Sequence, residues 1–411
     1  MDHSTEREYL RALRLLVFVL LATRTLHAQR TDLLVSQLLA PGVEYQQLHD
    51  GRGPWAIHLV RLDLRRAAIS LVPTRAHDQL RSRERTSDMV RRRNSEGATV
   101  LAAVNADFFD LKTGENENNQ VINGEWWKGL KVTDSPYDTY DNVHVQFALD
   151  GANLPEIDRF ALDANVWAHG VRTPIISVNF NPTGNPEGSA LFTSRYGNAT
   201  PRDTARVTAE ATLIAVGQHG DTLLYVRRGD TSNESGTHIP SNGAVFSAYG
   251  ARAKAVQAMH DGDTVRVLLA TLPRLAQGAT PRLLIGGWPR ILRDGVNIAG
   301  DAATVEGTIS RNAEVRHART SIGFSRDRRT VFILTVDGRS EKSVGMTLIE
   351  LAAFMRSVGA WQAMNFDGGG STTMVIHGAV VNAPSDPTGE REVGNALLVI
   401  TKPISRIPKS R

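Results

Sequence analysis

The chain has 411 residues, 41% hydrophobic and 22% charged, with 47 Lys and Arg against 43 Asp and Glu. That length buries the core of one large domain or two ordinary ones, and the composition excludes a disordered tail and a multi-span membrane protein. The chain has no cysteine, which removes disulfides, thiolate metal sites and cysteine nucleophiles, and its net charge of +4 is too dilute to suggest a nucleic-acid partner.

Residues 1–28 have the layout of a secretory signal peptide. Arg7, Arg11 and Arg14 precede the apolar run 15–22, and Ala28 supplies a small residue at the cut. The run is too short to span a bilayer, so no stable membrane insertion is expected once it is removed. The mature protein is then expected to be exported, periplasmic or extracellular, a setting that permits disulfides without requiring them.

From residue 43 the pattern is mainly of strands. Residues 55–64 alternate apolar and polar with one slip, as in a half-buried strand, and turn at Arg65 and Arg66 into a second strand at 68–72. Residues 75–96 are dense in charge, with Arg81, Arg83, Arg85 and 91–93 among Glu84 and Asp88. They read as a helix with a solvated face, ended by Gly97. With acids interleaved and no aromatic residue among these arginines to stack a base, a nucleic-acid patch is not the reading. Residues 98–104 are almost wholly apolar and predict a buried strand. Residues 29–94 are thus expected to lead into a main domain at 95–403, with 404–411 a basic tail.

That strand carries Asn105 and Asp107 at its end, with Phe108 and Phe109 assigned to the core. Next, the loop 114–129 sets Asn116, Asn118, Asn119, Asn123 and Glu125 beside Trp126 and Trp127. Amides suit sugar hydroxyls and an indole covers the apolar side of a sugar ring; the alternative is a polar surface loop with one buried tryptophan. Residues 179–199, rich in Asn, Pro and Gly, read as a long loop or a boundary between lobes. Residues 207–216 and 222–226 flank a turn, and 264–270 follows Asp261-Gly262-Asp263, so the middle of the chain predicts hairpins. His260 beside Asp261 is read as turn chemistry rather than a metal site.

The last hundred residues are the most specific. The β-branched run 330–336 predicts a strand delivering Asp337-Gly338-Arg339. Residues 347–358 predict a helix: Thr347 and Glu350 form a capping box, Leu348, Leu351, Ala352 and Met355 share one face, and Gly359 stands at the C′ position. Residues 361–366 return as a short strand ending in Asp367, Gly368, Gly369, Gly370 and Ser371, with another strand at 372–376. A strand–helix–strand unit predicts parallel strands in one sheet, so Asp337 and Asp367 are expected at the same edge. Two carboxylates at one edge suit chemistry at an anomeric carbon, and glycines let backbone N–H groups approach an anionic oxygen. The expected fold class is α+β, a mixed β-sheet core with a few helices.

Five stretches, 104–110, 285–295, 319–339, 345–375 and 391–399, resemble in order the segments of the phosphodiester glycosidase family. The resemblance covers about residues 95–403. It implies a hydrolase that cuts between a sugar's anomeric carbon and a phosphodiester, leaving free sugar and a phosphomonoester, with a phosphodiester-linked saccharide such as an envelope or exopolysaccharide glycan as its partner. Asp337, Asp367 and Arg319 are the catalytic candidates. Asn105, Asp107, Glu125, Gly286, Gly287, Arg339, Asn365, Gly368, Gly369, Gly370 and Ser371 are the substrate-binding ones. Arg319 and Arg339 suit phosphate because a guanidinium binds it bidentately. Many relatives have glycine where Asp107 stands. The reading leaves open which Asp is acid, base or nucleophile and whether a divalent metal joins them. Two other functions stay open, a metal-dependent phosphodiesterase cleaving P–O and a non-catalytic exopolysaccharide binder.

Overall fold

The computed structural model describes residues 31–66, 68–132, 144–181, 187–306 and 314–401. The expected signal peptide and basic tail lie outside these residues. Strands Trp55–Asp63 and Thr330–Val336 pair antiparallel inside an eight-stranded sheet, with Ile57 opposite Val336. Both strands are buried on both faces. Ile57, Leu59, Phe332 and Leu334 pack toward the helix Leu348–Ser357, whereas Val60, Leu62, Val331 and Ile333 pack toward a five-stranded sheet. The slip in the 55–64 alternation is therefore no irregularity: the two sets of apolar residues serve two cores.

The five-stranded sheet runs Ala379–Val380, Met374–Ile376, Thr99–Asn105, Asn395–Thr401, Ile69–Arg75. Its other face is covered by the helix Thr86–Ser95, whose Met89 and Val90 meet Val100, Ala103 and Leu398. The stack is thus helix, sheet, sheet, helix. Strands from 31–75 enter both sheets, so the stretch expected as a lead-in is woven into the stack. The helix Leu348–Ser357 carries the expected capping box, with Glu350 N donating to Thr347 Oγ1 at 3.1 Å and Thr347 N to Glu350 at 2.9 Å.

The charged stretch departs from expectation. Its helix starts only at Thr86, after a 3-10 turn at Ala76–Asp78 and a short strand at Glu84–Arg85. The buried Arg75 guanidinium donates to the carbonyls of Gln79 and Leu80 and so draws these residues away from a helical ladder. Arg92 and Arg93 pair with Asp78, Glu84 and Glu96.

The expected strand–helix–strand unit has a strand inserted in it. Thr330–Val336 and Gln362–Asn365 both pair antiparallel with Arg319–Phe324, which lies between them. The outer two therefore run parallel to each other and end on the same side, as expected. With two strand spacings between them, the backbones at Asp337 and Asp367 stand about 10 Å apart.

A thirteen-stranded sheet of long hairpins forms the rest, around a core of its own that includes Leu191, Phe246 and Val267. The paired strands Thr208–His219 and Thr222–Ser232 outrun the expected 207–216 and 222–226. The 179–199 stretch holds a strand, Gly188–Thr193, which pairs parallel with Ser177–Val178 and antiparallel with Gly243–Tyr249. Its six residues were hidden by the turn formers before it. The fold class is α+β; the parallel pair Ser177–Val178 with Gly188–Thr193 makes the thirteen-stranded sheet mixed, whereas the described strands of the eight- and five-stranded sheets pair antiparallel.

Candidate active site

Where Thr330–Val336, Gln362–Asn365 and Thr99–Asn105 end, the layer between the two stacked sheets turns from apolar to polar. Asn105, buried, accepts from Thr320 Oγ1 at 2.8 Å and from Thr373 N at 3.1 Å, and donates to the Asp367 carbonyl at 2.7 Å. Asp367 N in turn donates to Ala106 O at 2.7 Å. The Asp367 turn is thereby clamped between both sheets.

The Asp367 carboxyl is pushed up to about 6 by burial, against the opposing pull of the Ser371 hydroxyl, the Arg391 charge and the Gly368 N–H. Asp337 is held differently. Its Oδ1 accepts from Asn382 Nδ2 at 3.2 Å and from Ala383 N at 3.0 Å, and its Oδ2 lies 3.8 Å from His58 Nε2. The other nitrogen of that buried imidazole is 2.8 Å from the Tyr45 hydroxyl, which is pushed up to about 12 by burial and by the Asp337 charge. Asn382 also donates to Thr372 O at 3.1 Å and accepts from Met374 N at 2.7 Å. It thus couples the Asp337 carboxylate to the segment that follows the glycine loop.

Two arginines lie on that loop. Arg391 is paired with Asp386 at 2.6 Å and reaches Ser371 Oγ at 3.4 Å. It crosses so close to Gly370 that a Cβ there would stand 2.4 Å from the guanidinium. Arg339, exposed and at φ +60°, lies beside Gly369. Arg319 is placed otherwise: it is buried, donates to the carbonyls of Met346 at 2.9 Å and Val315 at 2.8 Å, and is drawn down to about 10 by desolvation. Gly369 N donates inward to Ala318 O at 2.8 Å, so the loop does not present all three glycine N–H groups as a cradle.

The Asp367 carboxyl, with its raised proton affinity, thus stands on a polar glycine loop beside Arg391 and Arg339. Residues 221–400 match the family model described as Phosphodiester glycosidase. Over this stretch the chain is similar to the phosphodiester glycosidase family. The N-acetylglucosamine-1-phosphodiester alpha-N-acetylglucosaminidase of Bos taurus is 28% identical over 248 residues, 57% of this chain and 44% of that protein. The Homo sapiens enzyme of the same name is 37% identical over 86 residues, 21% of this chain and 16% of that protein. The chain thus spans less than half the length of the curated relatives it matches. Among solved structures, a Synechocystis protein aligns with a TM-score of 0.69 at 20% identity, covering 90% of this chain and 64% of that one. These two share a fold.

Within the matched stretch and its flanking strands, the predicted residues fall into three groups. Asp337, Asp367, Arg339, Gly368, Gly369, Gly370 and Ser371 gather at one end of the stack, braced by Asn105 and Arg319. Gly286, Gly287 and Asn365 lie beside them: Trp288 N donates to Asn365 O at 2.8 Å and Asn365 Nδ2 to Trp288 O at 2.7 Å, while Gly286 is packed against Asn118. Asp107 is next to this group, yet its buried carboxylate accepts from Asn118 Nδ2 at 2.7 Å and Asn118 N at 3.2 Å. Burial pushes it up to about 6, opposed by Asn118, Lys128 and Arg75. Glu125 stands apart. It sits past the Asn123–Gly124 turn, at the opposite end of its hairpin from Asn118, where Arg195 grips it at 2.8 and 2.7 Å. There it lines a recess of about 570 Å³ in the thirteen-stranded sheet, with Thr193 and Tyr225.

The loop read as a sugar platform is turned inward. Trp126 and Trp127 are buried, Arg195 lies 4.4 Å over the Trp127 ring, and Asn119 is bonded to Phe160 and Leu130. Phe109 is buried as expected, and Phe108 stands edge-on to Trp288. Sequence reasoning missed Arg391, His58 and Asn382, and also Glu306, a buried carboxyl pushed up by burial that accepts from Val145 N and Arg290 N. Of these, Arg391 had a signal, since it opens one of the five family-like stretches. Among the described residues, the group of three His, Asp or Glu side chains spaced to share an ion is His169, His260 and Asp263; Asp337 and Asp367 do not belong to it.

Proposed function

We propose that the chain hydrolyses the glycosidic C–O bond of a sugar-1-phosphodiester, giving free sugar and a phosphomonoester. The observation that carries this reading is the Asp367 carboxyl set beside Ser371 and Arg391 on the glycine loop. A phosphomonoester departs readily as an anion, so cations on the phosphate matter more than a strong general acid. Arg391 and Arg339, lying over Gly370 and Gly369, are the phosphate contacts. Asp367, with its raised proton affinity, is a stronger base than an ordinary aspartate and is still ionised at neutral pH. It takes a proton from the attacking water or attacks the anomeric carbon itself. Asp337, fixed by Asn382 and Ala383, stabilises the positive charge that develops at that carbon. Arg319, bonded to the Met346 and Val315 carbonyls, positions the loops at 315 and 346.

The layout of residues 1–28 supports export, and with it an envelope or extracellular glycan as the source of the phosphodiester. The working domain comprises residues 95–403 together with the strands from 31–75 that complete its sheets. To test the reading, purified protein is incubated with a sugar-1-(alkyl phosphate) and assayed for reducing sugar and alkyl phosphate. Wild type is expected to release both in equal amounts, and Asp367→Asn to lose at least about a hundredfold in kcat. Turnover of Asp367→Asn at the wild-type rate overturns the assignment.

A further inference from the structure

We propose that His169, His260 and Asp263 bind one transition-metal ion of the zinc class, at a site in the thirteen-stranded sheet separate from the Asp367 loop. The sheet register brings the three together. Ala161–Ala168 pairs antiparallel with Thr264–Leu272, Trp167 lying opposite Arg266, so two residues further along the chain reaches the level of Thr264 and Asp263. There the hairpin closes in a two-residue turn, His169-Gly170, with φ +50° and +77°. Those angles are those of a type I′ turn, which fixes His169 at the hairpin tip.

The partner turn is held as firmly. Asp263 N donates to His260 O at 3.1 Å, His260 N donates to Asp263 Oδ2 at 2.6 Å, and Arg227 pairs with the turn through Gly262 N and Asp263 O. Asp261, next to His260 in sequence, accepts from Gly229 N at 2.9 Å and takes no part in the cluster. His169 Nε2 lies 2.5 Å and His260 Nδ1 3.9 Å from Asp263 Oδ2, and the three ligand atoms are all within 4.8 Å of one another. The two rings are inclined at 81°, not stacked.

Two imidazoles and a carboxylate are a donor set that zinc accepts, with ligand atoms about 2.0 to 2.2 Å from the ion and so roughly 3.4 Å from each other. The observed separations bracket that value, and small rotations of exposed side chains bring them to it. His169 and His260 are exposed, which leaves a fourth position to water. Bound there, the ion ties the hairpin tip to the start of Thr264–Leu272 and stabilises the folded state by mass action. Affinity follows the usual order for such ligands, with Co²⁺ weaker than Ni²⁺ and Cu²⁺ strongest.

The test uses the full chain after treatment with a chelator and dialysis. Calorimetric titration with Zn²⁺ is expected to give one tight equivalent, and Co²⁺ to give the visible absorption of a low-coordinate nitrogen–oxygen site. His169→Ala, His260→Ala and Asp263→Asn are each expected to weaken Zn²⁺ binding by about tenfold or more. These are surface turn positions, and unchanged circular dichroism shows that the variants fold. Absence of Zn²⁺ binding to wild type overturns the proposal, and so does a His169→Ala, His260→Ala double variant that binds Zn²⁺ with wild-type stoichiometry and affinity.

Discussion

Asn105 and Asp367 are joined by a 2.7 Å hydrogen bond from the side-chain amide of the first to the main-chain carbonyl of the second. The same buried amide accepts from Thr320 Oγ1 and Thr373 N, so one side chain ties the last turn of one sheet to two elements around it. Asn105→Ala leaves three buried polar groups without this partner. It is expected to cost about 2 to 4 kcal/mol in urea unfolding and to lower kcat more than it raises KM, because the Asp367 loop loses its clamp. A wild-type denaturation midpoint counts against the brace.

The proton affinity of Asp367 sets the acid limb of the rate profile. With its carboxyl raised to about 6 and the ionised form doing the chemistry, kcat/KM is expected to rise from pH 4, to be half-maximal near pH 6 and to level off above about pH 7. A rate that instead declines as pH rises through 6 assigns Asp367 to the general acid.

Stability responds in the opposite sense. An unfolded aspartate titrates near pH 4, so below that value both states hold the proton and Asp367 costs folding nothing. As pH rises through about 6 the folded protein must bury the charge, and the stability present at low pH is lost. Asp367→Asn removes this dependence. Relative to the difference at pH 4, the variant is expected to gain up to about 2 to 3 kcal/mol over wild type by pH 7.5. Parallel stability curves across that range contradict the burial of this carboxyl.

Three arginines separate by function. Arg391→Ala and Arg339→Ala are expected to raise KM for a sugar-1-phosphodiester about tenfold or more, since each removes a charged contact to phosphate, with the unfolding midpoint little changed for the exposed Arg339. Arg319→Ala is expected to act mainly on stability, by about 2 to 4 kcal/mol, because the Met346 and Val315 carbonyls lose their donor. Thermal unfolding beside Michaelis kinetics on the three variants distinguishes these outcomes.

What was legible in the sequence was local. The Thr347–Glu350 capping box, the Asp337 and Asp367 strand ends and the buried run before Asn105 all depend on residues within a few positions of one another, and each stands where expected. The family resemblance is borne out over residues 221–400. Non-local pairing was not legible. Nothing in the chain order says that Arg319–Phe324 enters between the two aspartate-bearing strands. Arg391 reaches a serine 20 residues away, across a loop. Asn382 and His58 hold Asp337 through contacts spanning 45 residues and more, with ordinary local sequence around them. Glu125 was grouped with the site because an amide-rich, tryptophan-bearing loop suits sugars, but the direction of its hairpin carries it to the far end. The same composition serves an interior in which Asn118 and Asn119 satisfy buried partners.

The central claim is that the bond broken is the sugar's C–O bond and not the phosphate's P–O bond. Hydrolysis of a sugar-1-phosphodiester in oxygen-18 water, followed by mass spectrometry of both products, reads this directly. The label is expected at the anomeric oxygen of the released sugar, with the phosphomonoester unlabelled. Label in the phosphomonoester and none in the sugar means that water attacked phosphorus, and the chain is then a phosphodiesterase.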